Sequence, residues 1–201
     1  MLLDILKQRK SVRKFSDKEI TDDEINYILE AGRLSPSGGN EQPWKFGVVK
    51  DKSLIKKIAK IAYNQKWIEG AQVLIVLCAR IVTDREGGRD IQLSRYPDWR
   101  TKIETMDKEL YSKLNLEEHQ TKIPGTHMVL AATEQGIGST WVSYFKVQEL
   151  VDLLGIPNNY LPSEIIALGY PVHESKRVVK KSLEEVIFYN DDFYNEDNKL
   201  K

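Results

Sequence analysis

The sequence predicts one layered domain of the α/β or α+β class, and three observations lead there. Residues 73–79 read VLIVLCA, an unbroken apolar run of the kind expected for a central strand covered on both sides. A shorter apolar run at 46–49 precedes it. Between the two, residues 51–63 carry Leu54, Ile55, Ile58, Ile61 and Ala62 at helical spacing. Two strands joined by a helix pack as layers. No internal repeat, low-complexity tract or linker divides the 201 residues. One domain is therefore expected over 1–201, with an excursion at about 84–125 and a C-terminal extension at about 188–201. Periodicity leaves the strand order open.

Taken in order, Leu2, Leu3, Ile5 and Leu6 give a short first helix whose C-terminal end carries cations. Thr21, followed three residues later by Glu24, is a capping box, and Ile20 stands in the staple position. Ile25, Ile28, Leu29 and Leu34 supply that helix's apolar stripe to about Ser35. The helix cannot continue into Pro36, Ser37, Gly38, Gly39 and Asn40. Proline lacks an amide donor, and the glycines open backbone geometries closed to other residues. After residues 51–63, Asn64 and Gln65 interrupt the helical pattern. The excursion holds turns at 86–90 and 96–99, and Met106, Leu110 and Leu114 hint at a helix between 103 and 116. Residues 126–135 form a helix with Met128, Val129, Ala131 and Ala132 inside. The segment GIGSTWVSYF then leads to a helix at Val147–Leu154, stopped by Gly155 and Pro157. A second buried strand covers 165–168. Beyond it lie a basic run (Lys176, Arg177, Lys180, Lys181) and a polar tail that either frays or embraces a partner subunit.

Acidic and basic residues balance at 30 each, so no net charge draws the chain to nucleic acid or to an anionic membrane. No span is long enough to cross a bilayer, and the N-terminus lacks the layout of a signal peptide. The lone cysteine, Cys78, falls inside an apolar run; it excludes an intrachain disulfide and fits a reducing cytoplasm. It reads as a buried structural thiol.

Two stretches carry chemistry. Residues 9–15 (RKSVRKF) place four cationic side chains and one hydroxyl within six positions. Arginine forks match phosphate oxygens two at a time, and serine adds a donor. The loop at 35–40 offers close backbone approach, free N–H groups and short polar side chains. Together they suggest two halves of a site for a phosphate-bearing cofactor. Other chemistries find little support. There is no P-loop, Gly136-Ile137-Gly138 lacks the rest of a dinucleotide fingerprint, and no G-x-S-x-G elbow occurs. His119, His127 and His173 are not at metal-ligand spacing with one another or with Cys78. A phosphate clamp without acid–base or nucleophilic machinery suits a cofactor that brings its own reactivity.

At this point the chain resembles the nitroreductase family of FMN-dependent oxidoreductases. The resemblance rests on RKSVRKF at 9–15, LSPSGGNEQPWKF at 34–46, EQGIGSTWV ending at Val142, and IALGYP at 166–171, in family order. It implies an α+β fold with a central mixed sheet flanked by helices, completed as a homodimer with FMN at the interface. By matching motif, Arg9, Ser11 and Arg13 are expected at the FMN phosphate and ribityl end. Pro36, Ser37, Gly38 and Asn40, with Gln42, are expected to reach the isoalloxazine ring from the other subunit. Asn64 and Gln65 fall where the family places a flavin-reaching amide, and Gly136, Gly138 and Ser139 where backbone donors approach the ring. Lys180 stands where the family often has an arginine, keeping the charge but losing the fork. The implied activity is ping-pong electron transfer from NADH or NADPH, through flavin, to a small acceptor such as a nitroaromatic or quinone. A specialised dehydrogenase or dehalogenase on the same fold, and a non-catalytic flavin-binding protein, are the alternatives. No side chain is singled out as an obligate catalytic base, and no metal is called for.

Overall fold

The computed structural model describes residues 1–81, 93–107, 118–173 and 179–189, with the side chains of 118–120 excepted. The expected turn at 86–90, Leu110, Leu114, the side chain of His119, Lys176, Arg177 and the tail from 190 onward lie outside the described residues.

Four strands form one sheet: β1 (Trp44–Val49), β2 (Val73–Arg80), β3 (Gly138–Val142) and β4 (Tyr160–Gly169), in the order β1-β2-β4-β3. All three strand pairs are antiparallel. The sheet expected to be mixed is therefore antiparallel through its named strands, and parallel pairing among the described residues is confined to the isolated bridge between Ser11 and Ser139. The unbroken apolar run of β2 comes from double coverage. Val73, Ile75 and Leu77 face one helical layer, while Leu74, Val76 and Cys78 face the other. The first layer is α2 (Asp22–Arg33) and a long helix of residues Glu118–Glu134. The second is α3 (Lys52–Ile61) and a short helix of residues Val147–Leu154. With α1 (Leu2–Gln8) and α4 (Arg100–Thr105) counted in chain order, the long helix is α5 and the short one α6. The class is α+β.

Local signals set most boundaries. Thr21 and Glu24 form the capping box reciprocally, with Thr21 N donating to Glu24 Oε2 at 2.8 Å and Glu24 N donating to Thr21 Oγ1 at 3.3 Å. Asp51 caps α3 by accepting from Leu54 N at 2.8 Å. α6 ends where Gly155 turns left-handed at φ 61°. Cys78 is buried, and desolvation pushes its thiol up to about 11, so it is not a thiolate at neutral pH.

Four expectations change. α5 begins well before residue 126 and runs through Pro124. The next residue, Gly125, gives the helix room against the sheet, since a Cβ there would lie 2.4 Å from the Trp141 ring. β4 begins at Tyr160 and passes Pro162 by a bulge: Leu77 pairs with Glu164 and Cys78 with Pro162, leaving Ser163 as the extra residue. β3 occupies a segment whose glycines and hydroxyls give no strand signal. Leu34, expected in the apolar stripe of α2, sits past its end and is 66 % exposed.

Candidate functional site

Residues 9–16 form a strap across the edge of the sheet. Val12 N donates to Ser139 O at 3.0 Å, Thr140 Oγ1 donates to Val12 O at 2.6 Å, and Phe15 bridges Pro171. Two glycines make the docking possible. A Cβ on Gly138 would meet Val12 at 2.7 Å, and one on Gly169 would meet Phe15 at 2.6 Å. Gly138, expected to serve backbone approach to a ring, thus has a packing reason of its own. Gly136 differs: its φ is +73° and a Cβ there would meet nothing within 4 Å, so it serves the turn from α5 into β3.

The strap aligns the expected phosphate donors. Arg9 follows the last turn of α1, half-buried, and lines a hollow of about 580 Å³ together with Lys10 and Lys180. Lys180 and Arg9, 171 positions apart in sequence, thus line the same hollow. On the other side of Lys10, a second hollow of about 510 Å³ is lined by Val12, Gly136, Ile137 and Gly138. Between them runs the Ser11–Ser139 bridge. Ser139 is 1 % exposed, and its hydroxyl has no hydrogen-bond partner among the described residues. An orphaned buried hydroxyl is rare and asks for a partner from outside the chain. Cations, an exposed Ser11 hydroxyl and this orphan fit a phosphorylated, hydroxyl-bearing ligand such as FMN.

Arg13 links the strap to a second expected patch. Its guanidinium lies 5.6 Å from the centroid of Trp67, in the 3-10 turn Lys66–Gly70 that follows Asn64 and Gln65. The Asn64–Gln65 turn is itself tied to the segment leaving β3. Gln65 Nε2 donates to Tyr144 O at 3.2 Å, Lys146 N donates to Ile61 O at 3.2 Å, and the rings of Tyr63 and Tyr144 stack with centroids 3.9 Å apart. Tyr63 and Tyr144 were not picked out from the sequence. The one signal was the aromatic pair in SYF just past β3, of which Tyr144 is exposed and Phe145 buried.

The loop stands elsewhere. Ser37 Oγ accepts from Gln42 N at 2.9 Å, and Asn40 N donates to Ser37 O at 3.1 Å, closing a tight turn. Gly39, Asn40 and Gln42 all have positive φ, at 55°, 57° and 48°. Arg80 Nη2 holds it from the end of β2 through Glu41 at 2.7 Å. Pro36, Gly38, Asn40 and Gln42 are exposed and Ser37 half-buried. This loop feeds β1, at the opposite edge from β3 and level with the opposite end of the sheet. At standard spacings the two sites lie roughly 14 Å apart across the sheet and about 20 Å along it. One copy of the chain therefore gathers Arg9, Ser11, Arg13, Asn64, Gln65, Gly136, Gly138, Ser139 and Lys180 along one side, and holds Pro36, Ser37, Gly38, Asn40 and Gln42 away from them.

Comparisons with known proteins bear on the family and the fold. A model of the family described as "Nitroreductase family" matches residues 6–170. A protein of Archaeoglobus fulgidus named "Putative NADH dehydrogenase/NAD(P)H nitroreductase" is 33 % identical over 176 residues, covering 86 % of each chain. An FMN reductase (NAD(P)H) of Bacillus subtilis is 25 % identical over 195 residues, covering 96 % of this chain and 74 % of its own. Among solved structures, NfrA2 of B. megaterium superposes with a TM-score of 0.75 at 21 % identity, covering 96 % of this chain and 77 % of the other. A nitroreductase family protein from Streptococcus pneumoniae gives 0.74 at 23 %, covering 94 % and 100 %.

Proposed function

Because the chain belongs to the nitroreductase family, we propose that it is an FMN-dependent oxidoreductase that carries electrons from NADH or NADPH to a small planar acceptor such as a nitroaromatic or quinone. The observation that carries this reading is the orphaned hydroxyl of buried Ser139, beside a strap whose cations converge with Lys180. Arg9, Arg13 and Lys180 would neutralise the FMN phosphate, with Arg9 and Arg13 able to grip it through paired N–H donors. Ser11 and Ser139 would accept or donate to the sugar-like chain. Asn64 and Gln65 would orient the far end through their amides. The chain's own part is read as binding, orientation and exclusion of water. FMN, when bound, would supply the redox chemistry.

The reading extends to assembly. Because loop 36–42 cannot reach the strap within one copy, it is read as serving the flavin site of a second copy, in a homodimer with two equivalent sites. No helix among the described residues is long and apolar enough to cross a membrane, and the protein is read as cytoplasmic, one domain from end to end.

The test is the visible spectrum of purified protein, followed by anaerobic addition of NADH and then NADPH. A yellow chromophore released as FMN and bleached by either nucleotide is the expected result. Protein that stays colourless after incubation with FMN would remove the assignments of Arg9, Ser11, Arg13 and Ser139 together.

A further inference from the structure

The turn after α3 is built in a way that packing does not explain. Tyr63 and Asn64 are successive non-glycine residues in the left-handed region, at φ 54° and 58°. For a bulky side chain this is an outlier, and such conformations persist only where surrounding contacts fix them. Those contacts are present. Lys146 N reaches back to Ile61 O, and Gln65 Nε2 donates to Tyr144 O. From the sheet side, Ser143 Oγ donates to Glu164 Oε2 at 2.5 Å; Glu164 is 4 % exposed and faces Lys122 Nζ at 3.5 Å. The backbone on both sides of Tyr144 is thus pinned by two elements, while its ring stands out.

What this holds in place is a stacked pair in the open. The Tyr63 and Tyr144 rings lie 3.9 Å apart at 15°, yet the residues are 46 % and 65 % exposed. A pair serving the core would be buried. An exposed aromatic face on a fixed backbone is a stacking surface presented without the entropy loss of ordering it on binding. It adjoins Asn64 and Gln65, at the end of β3 remote from Ser139.

Resting on the flavin reading above, we propose that Tyr63 and Tyr144 form a stacking platform that selects planar aromatic electron acceptors, with Glu164 and Gln65 as positioning residues that fix Tyr144. The platform acts on recognition alone and takes no part in proton or electron transfer. Compact acceptors with no aromatic face gain nothing from it.

The test compares wild type with Tyr144→Phe, which keeps the stacking face, and Tyr144→Leu, which keeps apolar bulk without it. Flavin content is measured first; loss of FMN from wild type would sink the parent reading, independently of the platform. With FMN retained, the KM for menadione is expected to rise at least fivefold in Tyr144→Leu and to stay within twofold in Tyr144→Phe. The KM for ferricyanide, which has no aromatic face, should stay unchanged in both. Equilibrium dialysis of menadione against the oxidised protein should show the same ordering in Kd without turnover. Equal menadione KM and Kd in Tyr144→Leu and wild type would overturn the proposal. So would a Tyr144→Leu protein whose defect is a shift from dimer to monomer, since the ring would then be an interface contact. If Tyr144→Leu fails to fold, Glu164→Gln carries the test: a raised menadione KM with unchanged ferricyanide KM supports the platform, and no change in either rejects it.

Discussion

The strap at residues 9–16 and the loop at residues 36–42 are both rich in polar groups, yet they are built on different terms. The strap is held by the rest of its own chain: Val12 fills the space above Gly138, Phe15 that above Gly169, and two hydrogen bonds to β3 fix its path. In the loop, Ser37 and Gln42 hold the turn, and an exposed ion pair joins Glu41 to Arg80. Exposed Leu34 adjoins it and has no core to enter. A turn beside an exposed leucine, in left-handed conformations that cost free energy, makes sense if its partner is another copy. On the proposed reading, the strap is one half of a site and the loop the half that a second copy would use.

The largest expected effect lies on the strap. Arg9→Ala with Arg13→Ala is expected to remove two charge-assisted contacts of about 1.5–3 kcal/mol each, so FMN affinity should fall by roughly a hundredfold to ten-thousandfold, as read by flavin fluorescence titration. Replacing Ser37, Asn40 and Gln42 together by alanine should weaken FMN by about a hundredfold, through three neutral contacts of about 0.5–1.5 kcal/mol. That triple variant should leave urea unfolding of the monomer nearly unchanged, because the loop contributes little to its own chain's core. A strong loss of stability there would break the contrast between the two regions.

The glycines sharpen it further. Gly138→Ala sets a Cβ 2.7 Å from Val12. It is expected to destabilise the fold by about 1–3 kcal/mol and to displace the strap, with partial rescue by Val12→Ala. Gly136→Ala, at φ +73° with open space around it, should cost only the backbone strain of about 1–2 kcal/mol and leave the strap seated. Urea denaturation read beside flavin retention separates the two. The smallest effect is expected at Lys180→Arg, where a restored fork should tighten FMN by about two- to fivefold.

How much of this was legible beforehand follows from the range of the contacts. Capping at Thr21, the stop at Gly155 and the double-sided β2 are encoded within a few residues, and they read correctly. The course of β4 past Pro162 was hidden, because proline and Glu164 argue against a strand until the bulge and the Ser143 contact are seen. β3 was hidden because its glycine, Gly138, answers to Val12, some 126 positions away. The proposed phosphate-side residues rest on their types and on family spacing. The Tyr63–Tyr144 stack was not legible, since nothing local joins positions 81 residues apart. Their separation, and that of the loop from the strap, belongs to topology.

The most direct measurement is the flavin content of a mixed dimer. One copy carries Arg9→Ala and Arg13→Ala, the other carries the Ser37, Asn40 and Gln42 triple replacement, and the pair is purified through two different tags. Each variant alone should hold almost no FMN. If every site joins the strap of one copy to the loop of the other, the mixed dimer contains one site with both defects and one with neither, and should bind one FMN per dimer. If each chain builds its own site, both sites are damaged, and a mixed dimer without flavin would contradict the account.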